Sequence, residues 1–543
     1  MAYLRRENKK GNTYLSICEN FRDENGKVAR RVLHNLGNID LIGEEALERI
    51  AKQLLNIIQR PIPSFSSKEI SRVNYGFSHI VYHCLCAYDL VNLFKRLTRK
   101  HKLNYDLLSP ILLMLCDRLN DPLSKLGSYS VQQEYFGIKN IELHQIYRSL
   151  DYLSSYNELI QTHIYKQNRD LFNYELDVVF FDVTTFYFDS NVVKQDELRQ
   201  LGFGKDGKIG KTQIVFSLLI DKNKMPIGFE IFNGKQFEGH TFENAITRLK
   251  TKFNIGKVIV VADSGMMSKK NIGLFDTASI AEQYEYIVGD RLKSLPHSIK
   301  TYLIEKTNYT TTLAEEQDNP IKLCVIKQDN KTIIGTWSAK RAAKDRYERE
   351  QKIKKAEQLL KNPAQLKKKP TNYYLKTTDK INYQIDTQRI KEDEKFDGYK
   401  AISTNTTTIS TEQVLEQYSY LYQIEHSFRT FKSFLETRPM FHWTDERIKG
   451  HLVMCYISFV LLRYIQQKTQ MTEQQLRTTL SKMQLSKVQS NKEVFWLRSA
   501  NTEEALVINK KLQLKNIPDT IGNDKIKNYI PSFKEYMGHR RAA

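Results

Sequence analysis

Two short apolar runs, each closed by an aspartate, constrain this 543-residue chain more than any other feature. Val178-Val179-Phe180-Phe181 runs into Asp182, and Val258-Ile259-Val260-Val261-Ala262 runs into Asp263. Unbroken β-branched and aromatic runs of this length predict strands buried on both faces, as inside an α/β sheet. Gln213–Ile220 and Ile227–Phe232 read as two further strands around the turn Asp221-Lys222-Asn223-Lys224. A helix is predicted over Thr241–Phe253, another near 268–275, and a last strand over Tyr284–Val288. Three strands joined by tight turns, then two arriving after helices, predict a mixed sheet.

An ionised carboxylate at the end of a buried strand loses hydration at a cost of several kcal/mol, and two side by side repel. A divalent cation between Asp182 and Asp263 removes both penalties, and oxygen ligands with a phosphate substrate favour Mg2+ or Mn2+. The plainer alternative is that each Asp caps the loop or helix after its strand.

Charge narrows the choice of partner. Lys plus Arg number 83 against 62 Asp plus Glu, a net +21, which favours a polyanion such as nucleic acid. The stretch 340–369 alone carries 12 basic against 4 acidic residues and could track a phosphate backbone. The alternative is a solvated charged face. The six cysteines are scattered, and only Cys84 and Cys86 are close, at a spacing poor for zinc, so free thiols in a reducing cytoplasm are expected. The longest apolar stretch, Leu452–Leu462, is too short to span a bilayer and reads as a buried helix. No membrane association is expected.

The remaining chain divides by period. Residues 1–42 read as a β-hairpin around Asp23-Glu24-Asn25-Gly26, and 43–173 as a helical region with basic punctuation suited to DNA. Residues 291–405 interrupt the sheet pattern with short strands and the basic helix, and 467–543 read as helical and polar. A helix is predicted over 411–435. On it Val414, Tyr418, Leu421, Tyr422, Glu425, Phe428 and Lys432 fall on one stripe, so that Tyr418 and Lys432, seven residues either side of Glu425, project toward one place. A buried Glu425–Lys432 structural pair would account for the same pattern.

Asp182-Val183-Thr184-Thr185, Ala262-Asp263-Ser264-Gly265-Met266 and Ile424-Glu425-His426-Ser427-Phe428-Arg429-Thr430-Phe431-Lys432 resemble the DDE transposases of bacterial insertion sequences. The resemblance is closer to the insertion-sequence-four superfamily, whose last block is Tyr-x2-Arg-x3-Glu-x6-Lys. Gly234 through Glu243, the run Arg438-Pro439-Met440-Phe441-His442-Trp443 with Arg447, Ile448 and His451, the N-terminal hairpin and Tyr147–Asp151 extend it over most of residues 1–465, toward the branch with a long N-terminal region.

The resemblance implies an α/β, ribonuclease-H-like mixed sheet at 174–290 and 406–466. It also implies a β-rich insertion at 291–405 before the Glu-bearing helix, and a mostly helical N-terminal region. Asp182, Asp263 and Glu425 would be catalytic and hold two Mg2+ ions, with Mn2+ as a substitute. Tyr418 and Lys432 would hold transposon-end phosphates, with Arg429 and Arg438 as further DNA-binding candidates. The partners implied are transposon-end inverted-repeat DNA and target DNA, with a homodimer in the synaptic complex, in the bacterial cytoplasm at the nucleoid. Two positions depart from the family pattern: Leu421 stands where the Arg is expected, and the Gly-Asn segment reads Gly234-Lys235-Gln236. The family's Tyr and Arg grip the terminal phosphate and serve a DNA hairpin, and Arg429 could replace the missing Arg. Two rival readings are a ribonuclease-H-like nuclease or resolvase without strand transfer, and a catalytically inactive DNA-binding derivative.

Overall fold

The computed structural model describes residues 2–529 apart from 10, 25, 59–66, 139, 173–177, 190–191, 194–196, 203–210, 237–240, 243–252, 254–257, 266–268, 274, 276–283, 314–319, 329, 362–372, 380–381 and 491–492. Most of the helix predicted over Thr241–Phe253, the Gly239–His240 pair, Met266 and the end of the basic stretch at 362–369 lie outside the described residues. The chain divides into two compact units: residues 1–71 with 487–495, and residues 72–486 with 496 onward.

In the first unit the hairpin strands Asn12–Arg22 and Val28–Asn38 pair antiparallel. Ala2–Lys9 adds a third strand on the other edge of Asn12–Arg22. Gly26 closes the turn at φ +75°, a backbone region that glycine enters without strain. A helix follows over Glu44–Ile57.

The second unit is built on a ten-stranded sheet. Its strands are β1 (Val178–Tyr187), β2 (Gln200–Leu201), β3 (Thr212–Asp221), β4 (Pro226–Asn233), β5 (Val258–Ala262), β6 (Tyr284–Asp290), β7 (Thr311–Leu313), β8 (Ile321–Gln328), β9 (Lys331–Trp337) and β10 (Tyr399–Thr404). The spatial order is β7-β8-β9-β10-β6-β5-β1-β3-β2, with β4 also paired to β3. β1 runs parallel to β5, and β5 parallel to β6. β1 with β3, and β3 with β4, are antiparallel. The sheet is therefore mixed. Every residue of β3 and β5 is buried. Alternate side chains serve opposite faces: Phe180, Phe186 and Phe216 join one core, while Phe181, Val183 and Val215 join another.

The sequence set 291–405 apart from the core, but its strands continue the same sheet. β10 pairs antiparallel with the outer edge of β6, Ile287 to Thr404 through Asp290 to Ala401, and β9 and β8 extend from it. The edge of β6 needs hydrogen-bond partners, and a strand arriving late in sequence supplies them. The basic stretch forms the helix Ala339–Leu360, capped by the Ser338 hydroxyl.

The first core packs against the helices Gly76–Ala87, Leu90–Lys100, Leu108–Asn120, Leu143–Ser155 and Asn157–Phe172, and against α3 (Asp445–Thr469). α3 is long and apolar enough to cross a membrane by composition, but 94% of that window is buried within the protein. None of the six cysteines forms a disulfide. The 467–543 stretch is not wholly helical: Gln484–Ser490 and Glu493–Arg498 are strands, in which Leu485 and Val488 are buried between half-buried polar residues. That polarity hides the pattern from a composition-based reading.

The helix predicted over 411–435 is three pieces: α1 (Thr411–Ser419), α2 (Tyr422–Arg429) and a π-helical turn over Thr430–Phe434. Between α1 and α2 the chain tightens to i→i+3 bonds, Leu421 N–H to the Tyr418 carbonyl and Ile424 N–H to the Leu421 carbonyl, both 3.2 Å. The π turn loosens it again, with Leu435 N–H donating to the Thr430 carbonyl at 2.8 Å. Two changes of pitch break the seven-residue phase on which the single stripe depended.

Candidate active site

The strand register sets the two aspartates beside one another. Phe181 of β1 pairs in parallel with Ala262 of β5, so Asp182 and Asp263 are the next residues on adjacent chains. Hydrogen-bonded strands lie about 4.8 Å apart. Asp182 is half-buried, and its Oδ1 accepts from the Val183 N–H at 2.7 Å. Asp263 follows the end of β5 and is exposed.

β6 brings the next components. Val288 pairs with Ala262, which places Gly289 beside Asp263. A Cβ at Gly289 would come within 2.2 Å of the Tyr418 hydroxyl, so the glycine is the seat of that phenol. Tyr418, at the end of α1, is buried, and burial followed by the charge of Asp263 raises its hydroxyl well above the ordinary tyrosine range. Asp290 and Glu425 push the same way. The phenol therefore stays protonated and able to donate. Asp290 is a fourth carboxylate at this place, its own pKa raised by burial while the Ser403 hydroxyl donates to it.

The insertion supplies a cation that sequence reasoning missed. The Lys400 ammonium, from β10, lies 4.1 Å from the centroid of the Tyr418 ring. Burial and the charge of Arg341 lower its pKa to about 8, while Asp263 acts in the opposite direction. A lone lysine in the short strand Tyr399–Thr404 is the one sequence signal that could have marked it.

The other expected residues are less gathered. Glu425 lies on α2 and is exposed, not in an apolar face, because the tightened turn at 420–421 rotates α2 relative to α1. Tyr418 is buried, Lys432 half-buried on the π turn, and Arg429 exposed, so the three do not form one stripe with Glu425. Arg438 lies apart, its guanidinium 5.3 Å from the Tyr187 ring. Leu421 is half-buried against the first core. Among the described residues, no group of three or more His, Cys, Asp or Glu side chains is placed to hold a metal. The Asp182–Asp263 pair offers two oxygen donors held side by side by register, the donor type a hard divalent cation takes.

The Transposase DDE domain matches residues 173–461, which include all three acids and more than half of the chain. The chain belongs to that family. Residues 4–62 match the IS1634 family transposase N-terminal domain, so this is a DDE transposase of the IS1634 family with its N-terminal region. No curated protein matches the sequence. Among solved structures, the cryo-EM piggyBac transposase synaptic complex with hairpin DNA overlays with a TM-score of 0.38 at 9% identity, covering 85% of this chain and 87% of that one. Nothing about this chain follows from a likeness at that level.

Proposed function

We propose that this transposase binds the terminal inverted repeats of an insertion sequence, cleaves the DNA there in a metal-dependent step, and joins the freed 3′ end to target DNA. Its core is read as ribonuclease-H-like, on the strength of the strand order β4-β3-β1-β5-β6 with β1, β5 and β6 parallel. Asp182 and Asp263 would hold the metal, with Glu425 completing the set once DNA draws α2 inward. Bound there, Mg2+ would lower the pKa of the attacking hydroxyl and neutralise charge on the leaving oxygen.

The chain's own groups do the rest. The Val183 N–H orients Asp182. The protonated Tyr418 hydroxyl donates to a phosphate oxygen, and Lys400 supplies positive charge beside it, in the role that the family's missing Arg leaves open at Leu421. Lys432 and Arg429 bind the flanking strand. Two ends must be cut together, so the active assembly is a homodimer on paired repeats.

The register that makes Asp182 and Asp263 neighbours carries this reading. Nicking and joining of labelled repeat DNA test it. Full-length protein with Mg2+ is expected to nick at the repeat boundary and to join pre-cut ends to a plasmid. Nicking without joining would identify a nuclease or resolvase. Binding without nicking would identify an inactive DNA-binding derivative.

A further inference from the structure

Beyond the acids, the end of β1 meets a second site. A cavity of about 370 Å³ opens between residues 118–125 and the segment 436–451, a volume suited to a small organic ligand. Four cations line it, Arg118, Lys125, Arg438 and Arg447, with Glu436 the one carboxylate among the described lining residues and Asp151 paired to Arg447 at 3.7 Å. Two of them are withdrawn from water, Arg118 being 4% and Lys125 5% exposed. Arg118 Nη1 donates to the carbonyls of Leu435 and Glu436 at 3.0 and 3.3 Å, but among the described residues Arg118 Nε and Lys125 Nζ have no hydrogen-bond partner. The nearby buried carboxylate of Asp117 accepts through Oδ2 from the Ser128 hydroxyl at 2.6 Å and the Leu123 N–H at 3.2 Å, while its Oδ1 has no hydrogen-bond partner among the described residues. Burial and the charge of Arg118 pull Lys125 down to about 7, while Cys455 and Asp117 act in the opposite direction. An unpaired ammonium packed near an arginine is costly to bury, and an anion is the ligand that would remove the cost.

The mouth of the cavity is aromatic. Phe441 and Trp443 are 64% and 54% exposed. The indole is held from behind: the buried Arg199 guanidinium lies 4.6 Å from the Trp443 ring centroid and 5.4 Å from that of Phe188. A fixed, exposed indole above a cationic floor pairs a stacking surface with a phosphate site.

We propose that this cavity binds one nucleotide of a DNA strand, its phosphate at Arg118 and Lys125 and its base against Trp443 and Phe441. This rests on DNA being the substrate. The nucleotide held here is not the one that is cut. Met440 N–H donates to the Tyr187 carbonyl at 3.2 Å and Met440 bridges Phe188, which fixes the cavity wall to the end of β1. From Asp182 to Phe188 is about 20 Å of strand at roughly 3.3 Å per residue. The site would therefore hold a base drawn out of the stack away from the scissile phosphate.

The test uses full-length protein in EDTA, with inorganic phosphate and thymidine 5′-monophosphate as probes and thermal melting as the readout. Both probes are expected to raise the melting temperature of the wild type, the nucleotide more. Lys125→Met should melt higher than wild type without ligand and lose both responses. Trp443→Leu should keep the phosphate response and bind the nucleotide at least about tenfold more weakly. A wild type indifferent to both probes, or a Lys125→Met variant that still responds, would overturn the proposal. Should Lys125→Met fail to fold, 2-aminopurine placed at successive positions of repeat DNA replaces it. A fluorescence change confined to one position, lost in Trp443→Leu, supports the site, and uniform signals reject it. Probe binding without any DNA cleavage would sink the functional reading and leave the cavity standing. Cleavage without probe binding would sink the cavity alone.

Discussion

One strand, β1, serves two chemistries that were assembled in opposite ways. At Asp182 the charge is negative, and the neighbour is set by the hydrogen-bond ladder: Phe181 against Ala262 leaves Asp182 no choice but to stand beside Asp263. At Tyr187 and Phe188 the surroundings are positive, and the cations come from the helices Leu108–Asn120, Lys125–Ser130 and α3 and from the segment between, with no ladder joining them. A ladder fixes position through repeated backbone bonds. A cavity is fixed by packing, and its charges tolerate burial only through what binds them.

Asp182→Asn should give the largest effect, a loss of roughly 10³-fold or more in Mg2+-dependent nicking with binding to repeat DNA nearly unchanged, measured by nicking and gel-shift assays. Retained nicking would remove Asp182 from the site. Lys125→Met should raise stability by about 1–4 kcal/mol at neutral pH, because a buried, unpaired charge is replaced by an apolar side chain of similar length. The gain depends on pH in a defined direction. Lys125 has a folded pKa of about 7, against about 10.4 unfolded. Between those values the unfolded chain binds more protons, so wild-type stability rises with pH. Urea titrations should therefore show the gap between variant and wild type closing from pH 7 toward 10, and a constant gap would mean that Lys125 is not buried as a charge.

Gly450→Ala should cost roughly 1–3 kcal/mol in the same titrations, since its Cβ would sit 2.0 Å from the Leu150 carbonyl oxygen where α3 crosses Leu143–Ser155. An unchanged midpoint would show that the helices can part. Arg438→Ala should do least: it should flatten the salt dependence of repeat-DNA binding by about one unit of slope. An unchanged slope would place Arg438 off the DNA.

The contrast explains how much was legible. Asp182 and Asp263 were readable because buried strands announce themselves in composition, and both runs end at the acid. Glu425 was readable as a residue type within a motif, but its exposure was not. The changes of pitch at 420–421 and 430–434 arise from packing and local bonding that a helical wheel cannot show. Lys400 and Lys125 were missed because each is a lone lysine in a short element, indistinguishable by sequence from surface charge, and only tertiary structure half-buries the first and buries the second. The attachment of β10 to β6 was equally hidden, since more than a hundred residues separate partners such as Ile287 and Thr404.

That attachment limits how the insertion can be handled or can move. Because β10 is stitched to β6 from Ile287 to Asp290, the 291–405 segment is no swinging lid. A tug on it from bound DNA would reach Gly289 and the Tyr418 hydroxyl through backbone bonds. Excising it would uncover a raw, apolar strand rim next to the acids, and the trimmed protein should clump rather than survive as a minimal enzyme.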